Sequence, residues 1–101
     1  MLVLLGWLAV GVQAQGAPAA TVAIRDFSFE PHEIRVAPGT AVRWVNGDPA
    51  PHAVAMEGGR PGSSGEIAPG QSHVFTFDQA ATYTYRCAIH PTMLGVLIVG
   101  P

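Results

Sequence analysis

Between Cys87 and Met93 the chain reads Cys-Ala-Ile-His-Pro-Thr-Met, which puts a thiol, an imidazole and a thioether within seven residues, directly after a stretch rich in β-formers. Sulfur donors suit copper, and one Cys, two His and a weak axial Met form the donor set of copper electron-transfer sites. The loop supplies Cys87, His90 and Met93. The second imidazole is expected from His52, in the segment Asp48-Pro49-Ala50-Pro51-His52. Taken singly, each of these residues has a plainer explanation: a lone Cys is commonly a small buried hydrophobe, a Met beside a strand is commonly core, and a loop His is commonly solvated. Their conjunction is what points to a metal. Zinc has no use for a thioether, and a c-type haem needs a second Cys. A single Cys also excludes an intrachain disulfide and a copper pair bridged by two thiolates.

These donors have to be held by strands. Runs of Val, Ile, Thr and aromatic residues alternate with Pro/Gly punctuation, and no segment after the leader sustains a 3.6-residue repeat. The expected strands cover 21–27, 33–37, 41–46, 52–56, 65–67, 71–77, 81–87 and 94–99, an all-β, Greek-key sandwich or barrel of about eight strands. Period-two phase places Tyr83, Tyr85 and Cys87 on one face and turns Thr84 and Arg86 the other way. It likewise groups Val42, Trp44 and Asn46 inward, so Trp44 is expected to be core, with Phe75 and Phe77 as a similar pair. Ala37-Pro38-Gly39-Thr40 and Ala68-Pro69-Gly70-Gln71 carry the Pro-Gly pair of tight turns, and the Gly-rich stretch 56–65 is expected to be the most mobile loop.

With these residues in place, the chain resembles the cupredoxins, and among them the amicyanins. The Cys-x-x-His-x-x-Met spacing is the short ligand loop of that group; plastocyanins and pseudoazurins have longer His-to-Met spacings. Phe29-Glu30-Pro31, Val36-Ala37-Pro38-Gly39-Thr40, Val42-Arg43-Trp44-Val45-Asn46, Ala68-Pro69-Gly70 and Tyr83-Thr84-Tyr85-Arg86-Cys87 extend the resemblance over 21–99. It implies one type 1 copper held by His52, Cys87, His90 and Met93. His52 would be the interior imidazole, and His90 the one whose edge reaches the surface through a docking patch rimmed by Pro49, Ala50, Pro51, Pro91 and Thr92. Three positions depart from the pattern. Ala88 replaces the Ser or Thr whose hydroxyl usually bonds an Asn at the position of Asn46. Ala53 replaces an Asn after the first His, though its amide can still donate to the sulfur. Ile89 replaces a Pro and regains an amide, from which a second hydrogen bond to the sulfur and a raised potential are expected.

The first residues are apolar and uncharged, and Val12-Gln13-Ala14 has the small-residue pattern of a cleavage site, so 1–14 reads as a secretory signal. It is short for a membrane span, which needs about 20 apolar residues, and no stable membrane insertion is expected. Residues 15–20 read as a flexible lead-in and 21–101 as one domain. Export to the periplasm implies an oxidising compartment, where an unpaired Cys is best explained as buried or liganded. The net charge is −2 and the five basic residues are scattered arginines, which argues against a nucleic-acid partner. Asp26, Glu30, Glu33 and Asp48 read as solvated charges, and His32 as solvated. His73 should be half buried.

The function expected is that of a monomeric, exported one-electron carrier, not an enzyme, because four protein donors leave no open position for substrate. Its partners would be transient redox proteins; the resemblance suggests a dehydrogenase donor, such as methylamine dehydrogenase, and a c-type cytochrome acceptor. The alternative is a copper carrier that delivers the metal to another exported protein. Such carriers usually expose Met- or His-rich tracts, and three Met, one of them Met1, form none.

Overall fold

The computed structural model describes residues 18–100; the expected signal segment and the first part of the lead-in lie outside the described residues. Nine strands follow in chain order: β1 (Ala20–Arg25), β2 (Ser28–Glu30), β3 (Glu33–Val36), β4 (Thr40–Asn46), β5 (His52–Met56), β6 (Ser63–Ile67), β7 (Ser72–Phe77), β8 (Ala81–Cys87) and β9 (Leu94–Val99). They make two sheets, ordered β2-β1-β4-β7 and β3-β9-β8-β5-β6. The β1/β4 and β3/β9 pairs are parallel and the other pairs antiparallel. The all-β sandwich expected from the strand pattern is what forms.

The strand expected over 21–27 ends at Arg25, and a further strand, β2, which was not expected, follows the turn. The chain turns back at Asp26 and Phe27, both with φ of 54°, so that Arg25 pairs with Ser28 and Ile24 with Phe29. Two successive positive-φ residues are what a tight hairpin requires, normally filled by Asn-Gly or Asp-Gly. Here neither is Gly, which is why the turn was silent in the sequence. The sheet also starts earlier than expected: the Ala19 amide donates to the Ala41 carbonyl at 3.0 Å, and Ala20 pairs with Val42. Strand β6 likewise begins at Ser63, shortening the Gly-rich loop. The two Pro-Gly turns form as read. Gly39 and Gly70 have φ of 90° and 83°, and the amides of Thr40 and Gln71 close on the carbonyls of Ala37 and Ala68 at 3.2 and 2.9 Å, the pattern of Pro then Gly at the centre of a type II turn.

Phase decides the core. Val22, Ile24, Val42 and Trp44 from one sheet and Val54, Tyr85, Cys87 and Leu97 from the other are at most 1% exposed. Each buried aliphatic contributes roughly 1.5–3 kcal/mol relative to exposure. Trp44 joins the layers: its ring lies 5.4 Å from Tyr85 across the sandwich, and 5.8 and 6.1 Å from Phe75 and Phe77 along its own sheet. Tyr85 pairs with Gly95, and a Cβ on Gly95 would come within 2.4–2.7 Å of the tyrosine ring, so only glycine fits there. The Trp44 Nε1 and the Tyr85 hydroxyl are buried without a hydrogen-bond partner. Thr84 and Arg86 face solvent as their phase requires. His73 is half buried with its ring 4.6 Å from that of Phe75, and His32 is exposed.

Candidate copper site

Register brings the distant donors together. Strand β5 runs antiparallel to β8 with Val54 opposite Cys87, so His52 lies diagonally across from Cys87 on the same inward face, within reach of its side chain. The loop after Cys87 is closed at its base, where the Cys87 amide donates to the Met93 carbonyl at 3.1 Å and the Met93 amide to the His90 carbonyl at 3.0 Å. This tight turn folds His90 back over the cysteine. The Cys87 Sγ lies 3.6 Å from His52 Nδ1 and 3.8 Å from His90 Nδ1, and the three donor atoms are mutually within 4.8 Å.

The spacing fits a metal. Bonds of about 2.3 Å to sulfur and about 2.0 Å to nitrogen, the lengths seen at zinc, separate S from N by about 3.7 Å in a trigonal plane. Size alone does not choose the ion; the thiolate with two imidazoles does, and it is the donor set of electron-transfer copper. Met93 is buried at the foot of the loop, 4% exposed. His52 is fully buried and His90 half buried, the inner and outer imidazoles expected of the pair. His32 and His73 are not part of the cluster; His32 instead lines a cavity of about 330 Å³ beside Met93.

The sulfur accepts two amides, from Ala53 and from His90, each at 3.4 Å. The Ala53 bond is the one expected despite the missing Asn, and a bulge in the β5/β6 pairing between Ala53 and Ala55 adjoins it. The second bond was expected from Ile89. It comes from His90, so the amide regained at Ile89 supplies no basis for a raised potential; Ile89 is an exposed apolar residue on the rim. Asn46 has no hydroxyl at Ala88 to bond and turns to its own side of the site. Its Nδ2 donates to the carbonyls of Ala50 and Ile67, both at 2.9 Å, and its Oδ1 accepts the Asp48 amide at 2.9 Å.

Two residues here were not found by sequence reasoning. Asp48, read as a solvated charge, is 6% exposed. Its carboxylate accepts the amides of Asp26 at 2.7 Å and Phe27 at 2.9 Å and lies 2.7 Å from His52 Nε2. Burial alone would push this carboxyl up, but the Phe27 amide, the His52 imidazole and the Asp26 amide outweigh burial and hold it below the usual carboxylate range. Phe27 packs edge-on against both imidazoles, with ring centroids 5.0 Å from His52 and 4.9 Å from His90. The available signal for Asp48 was its position four residues before His52 in a proline-stiffened segment; for Phe27 there was none, because its turn carries no Gly or Asn.

Comparison with known proteins agrees with this arrangement. The cupredoxin-like domain family matches residues 1–99, and the chain belongs to that family, with copper as its metal. Among its relatives are amicyanin of Paracoccus versutus, 37% identical over 87 residues that cover 82% of this chain and 66% of that protein, and amicyanin-alpha of Methylorubrum extorquens, 32% identical over 93 residues covering 87% and 77%. This chain thus spans just under two thirds of the Paracoccus protein. The solved structure of an oxidised amicyanin variant superposes with a TM-score of 0.77 at 33% identity, covering 85% of this chain and 87% of that one. A purple cupredoxin from Nitrosopumilus maritimus, 23% identical with a TM-score of 0.73 over 80% of this chain and 99% of its own, shares the fold.

Proposed function

We propose that this chain is an exported one-electron carrier whose type 1 copper is held by His52, Cys87, His90 and Met93. The observation that carries this reading is the convergence of Cys87 Sγ with two imidazole Nδ1 atoms at 3.6 and 3.8 Å, with the sulfur accepting two amides. Bound copper supplies the Cu(II)/Cu(I) couple. The chain's own part is to hold the donors still: strands β5 and β8 fix His52 and Cys87, and the closed loop base fixes His90 and Met93. The amides of Ala53 and His90 stabilise the thiolate, and hydrogen bonding and burial of this kind tune a site's potential. Four protein donors leave no position for substrate, which favours a carrier over an enzyme.

The half-buried His90 is the route by which an electron leaves or enters. The docking patch of Pro49, Ala50, Pro51, Pro91 and Thr92 would rim it, and Phe27, which packs on the His90 ring, together with Ile89 and Leu94, 44–53% exposed, would add apolar surface. A small, weakly polar face of this kind suits transient redox partners, with a dehydrogenase as donor and a c-type cytochrome as acceptor. The periplasm is the compartment in which those partners meet it. Among the described residues no helix is long and apolar enough to cross a membrane.

The test is the visible and electron paramagnetic resonance spectrum of the protein with one equivalent of Cu(II). Intense blue colour with narrow copper hyperfine splitting, absent from Cys87→Ala, is the expected result. A colourless protein that binds only Cu(I) would replace the electron carrier with the copper carrier.

A further inference from the structure

The first sheet ends in strands β2 and β7 and the second in β3 and β6. A row of free amides and carbonyls on an edge is a template for another strand, and natural edges are blunted by short length, charge or a bulge. Strand β2 has three residues, and its Glu30 is ion-paired to Arg25 at 2.9 Å. Strand β3 shows Glu33 and Arg35 to solvent. Strand β6 contains Glu66 and a Gly65 with φ of 71°, and its pairing with β5 is broken by the bulge. Strand β7 has none of these devices. It reads Ser-His-Val-Phe-Thr-Phe, without Pro or a carboxylate, Lys or Arg, and pairs with β4 in unbroken register. Ser72, Val74 and Thr76 face solvent, Val74 with 40% of its surface exposed, and among the described residues no strand lies beyond them.

We propose that the β7 edge docks a second copy of this chain, joining two four-stranded sheets into one across a two-fold axis at Val74. The ladder fixes which groups are on offer. The Asn46 amide donates to the Gln71 carbonyl at 2.9 Å, and Trp44 pairs with His73 and Val42 with Phe75. Hydrogen-bonded pairs alternate along an antiparallel ladder. The odd-numbered residues of β7 therefore bond to β4, and the amides and carbonyls of Ser72, Val74 and Thr76 point off the edge.

An axis at Val74 sets that residue against its own counterpart and Ser72 of each copy against Thr76 of the other. Each pair exchanges two main-chain hydrogen bonds. The side chains agree with this register: a β-branched pair meets at the axis, and two hydroxyl pairs flank it, both kinds of cross-strand pair that stabilise sheets. No like charges are opposed. Arg43, opposite Val74 on β4, sits one strand back from the seam with its guanidinium bonded to Ser72 Oγ at 3.0 Å. This self-match selects a second copy as the occupant, and an isologous contact closes on itself as a dimer. Asn46 belongs to the loop end of the sandwich that carries the candidate copper site, so antiparallel pairing sends the two loop ends opposite ways and leaves both His90 faces open. That consequence rests on the electron-carrier reading; the pairing does not.

Three residue pairs make a weak interface, and the range to search is about 10 µM to 1 mM. Sedimentation equilibrium of the full chain without added copper should show the mass rising toward twice the monomer's across that range. Hydrogen exchange followed by NMR on the same wild type gives a second readout. The amides of Ser72, Val74 and Thr76 should slow with concentration, about tenfold where nine-tenths of the chain is paired, while those of His73 and Phe75, bonded to β4, stay slow throughout. Val74→Lys sets two ammonium groups together at the axis, and Thr76→Pro removes an N–H that faces away from β4, a place where an edge strand accepts proline. Both variants should remain monomeric. A wild type that stays monomeric throughout overturns the proposal and leaves the edge to water or to an extended segment of another protein. A dimer whose outward amides exchange as fast as the monomer's, or one that survives both substitutions, also overturns it, because another surface then joins the copies. Exchange is read on the wild type, so a variant that does not fold cannot shield the proposal. A dimer with slowed outward amides but no blue copper supports the pairing and sinks the electron-carrier reading alone.

Discussion

At the loop end of the sandwich, Asn46, Asp48 and His52 are each at most 6% exposed and are tied into one network that reaches Asp26, Phe27, Ala50 and Ile67. In the middle of the same sandwich, Trp44 Nε1 and the Tyr85 hydroxyl are equally buried and bond to nothing. The core tolerates this because its geometry is set by shape: Trp44 edge-on to Tyr85 and Phe75, Gly95 making room for the tyrosine ring. Shape alone does not fix how a polar side chain is turned. At the loop end the buried polar groups are held by hydrogen bonds to one another and to the backbone, and a fully satisfied buried network fixes a unique arrangement.

If this contrast holds, the largest stability effect belongs to Asn46→Ala. It strands two carbonyls and an amide, and at 1–3 kcal/mol for each buried group left unpaired a net loss of about 3 kcal/mol is expected in urea denaturation of the metal-free protein. Next comes alkaline pH. Burial pushes the Tyr85 phenol from 10.0 up to about 12. The unfolded chain therefore gives up this proton first. The stability tied to it is intact below about pH 10 and is lost as pH rises through about 12, on the order of 3 kcal/mol at most. Denaturation midpoints between pH 9 and 12 should fall less steeply in Tyr85→Phe than in wild type.

Gly95→Ala should cost about 2 kcal/mol by overpacking, and Tyr85→Leu in the same chain should recover part of that cost, a coupling measurable in a double-mutant cycle. The smallest effect is expected from Tyr85→Phe at neutral pH, within about 1 kcal/mol of wild type, because removing a hydroxyl that has no partner leaves no group stranded. A loss above that would mean that the hydroxyl is satisfied and would remove the contrast.

The core was legible in the sequence because period-two phase depends only on the strand itself: Trp44, Tyr85, Cys87, Phe75 and Phe77 all face the side their spacing requires. The Cys87–Met93 loop was legible because its chemistry is local. Asp48 and Phe27 were not, for a shared reason. The partners of Asp48 are amides more than twenty residues upstream, on a turn whose positive φ values are stabilised by Asp48 itself rather than by Gly. Neither residue announces the other until the chain has folded, so a partnered carboxylate looked like a solvated one, a turn looked like the end of a strand, and β2 went unseen. The hydrogen bond assigned to Ile89 erred at finer grain: the turn that closes the loop aims the next amide, that of His90, at the sulfur.

The closed base of the ligand loop has one more consequence, for the order of events during folding. Cys87, His90 and Met93 stay within seven residues of chain even when no strand has formed, so copper can meet an unfolded chain that already carries most of a donor set. Metal bound there stabilises the unfolded ensemble too, and the net gain that copper gives the native protein is smaller than its native affinity alone implies. What only folding adds is the pairing of Val54 with Cys87, which delivers His52 from the far strand, so the inner imidazole is the donor whose arrival separates a chelating peptide from the finished site.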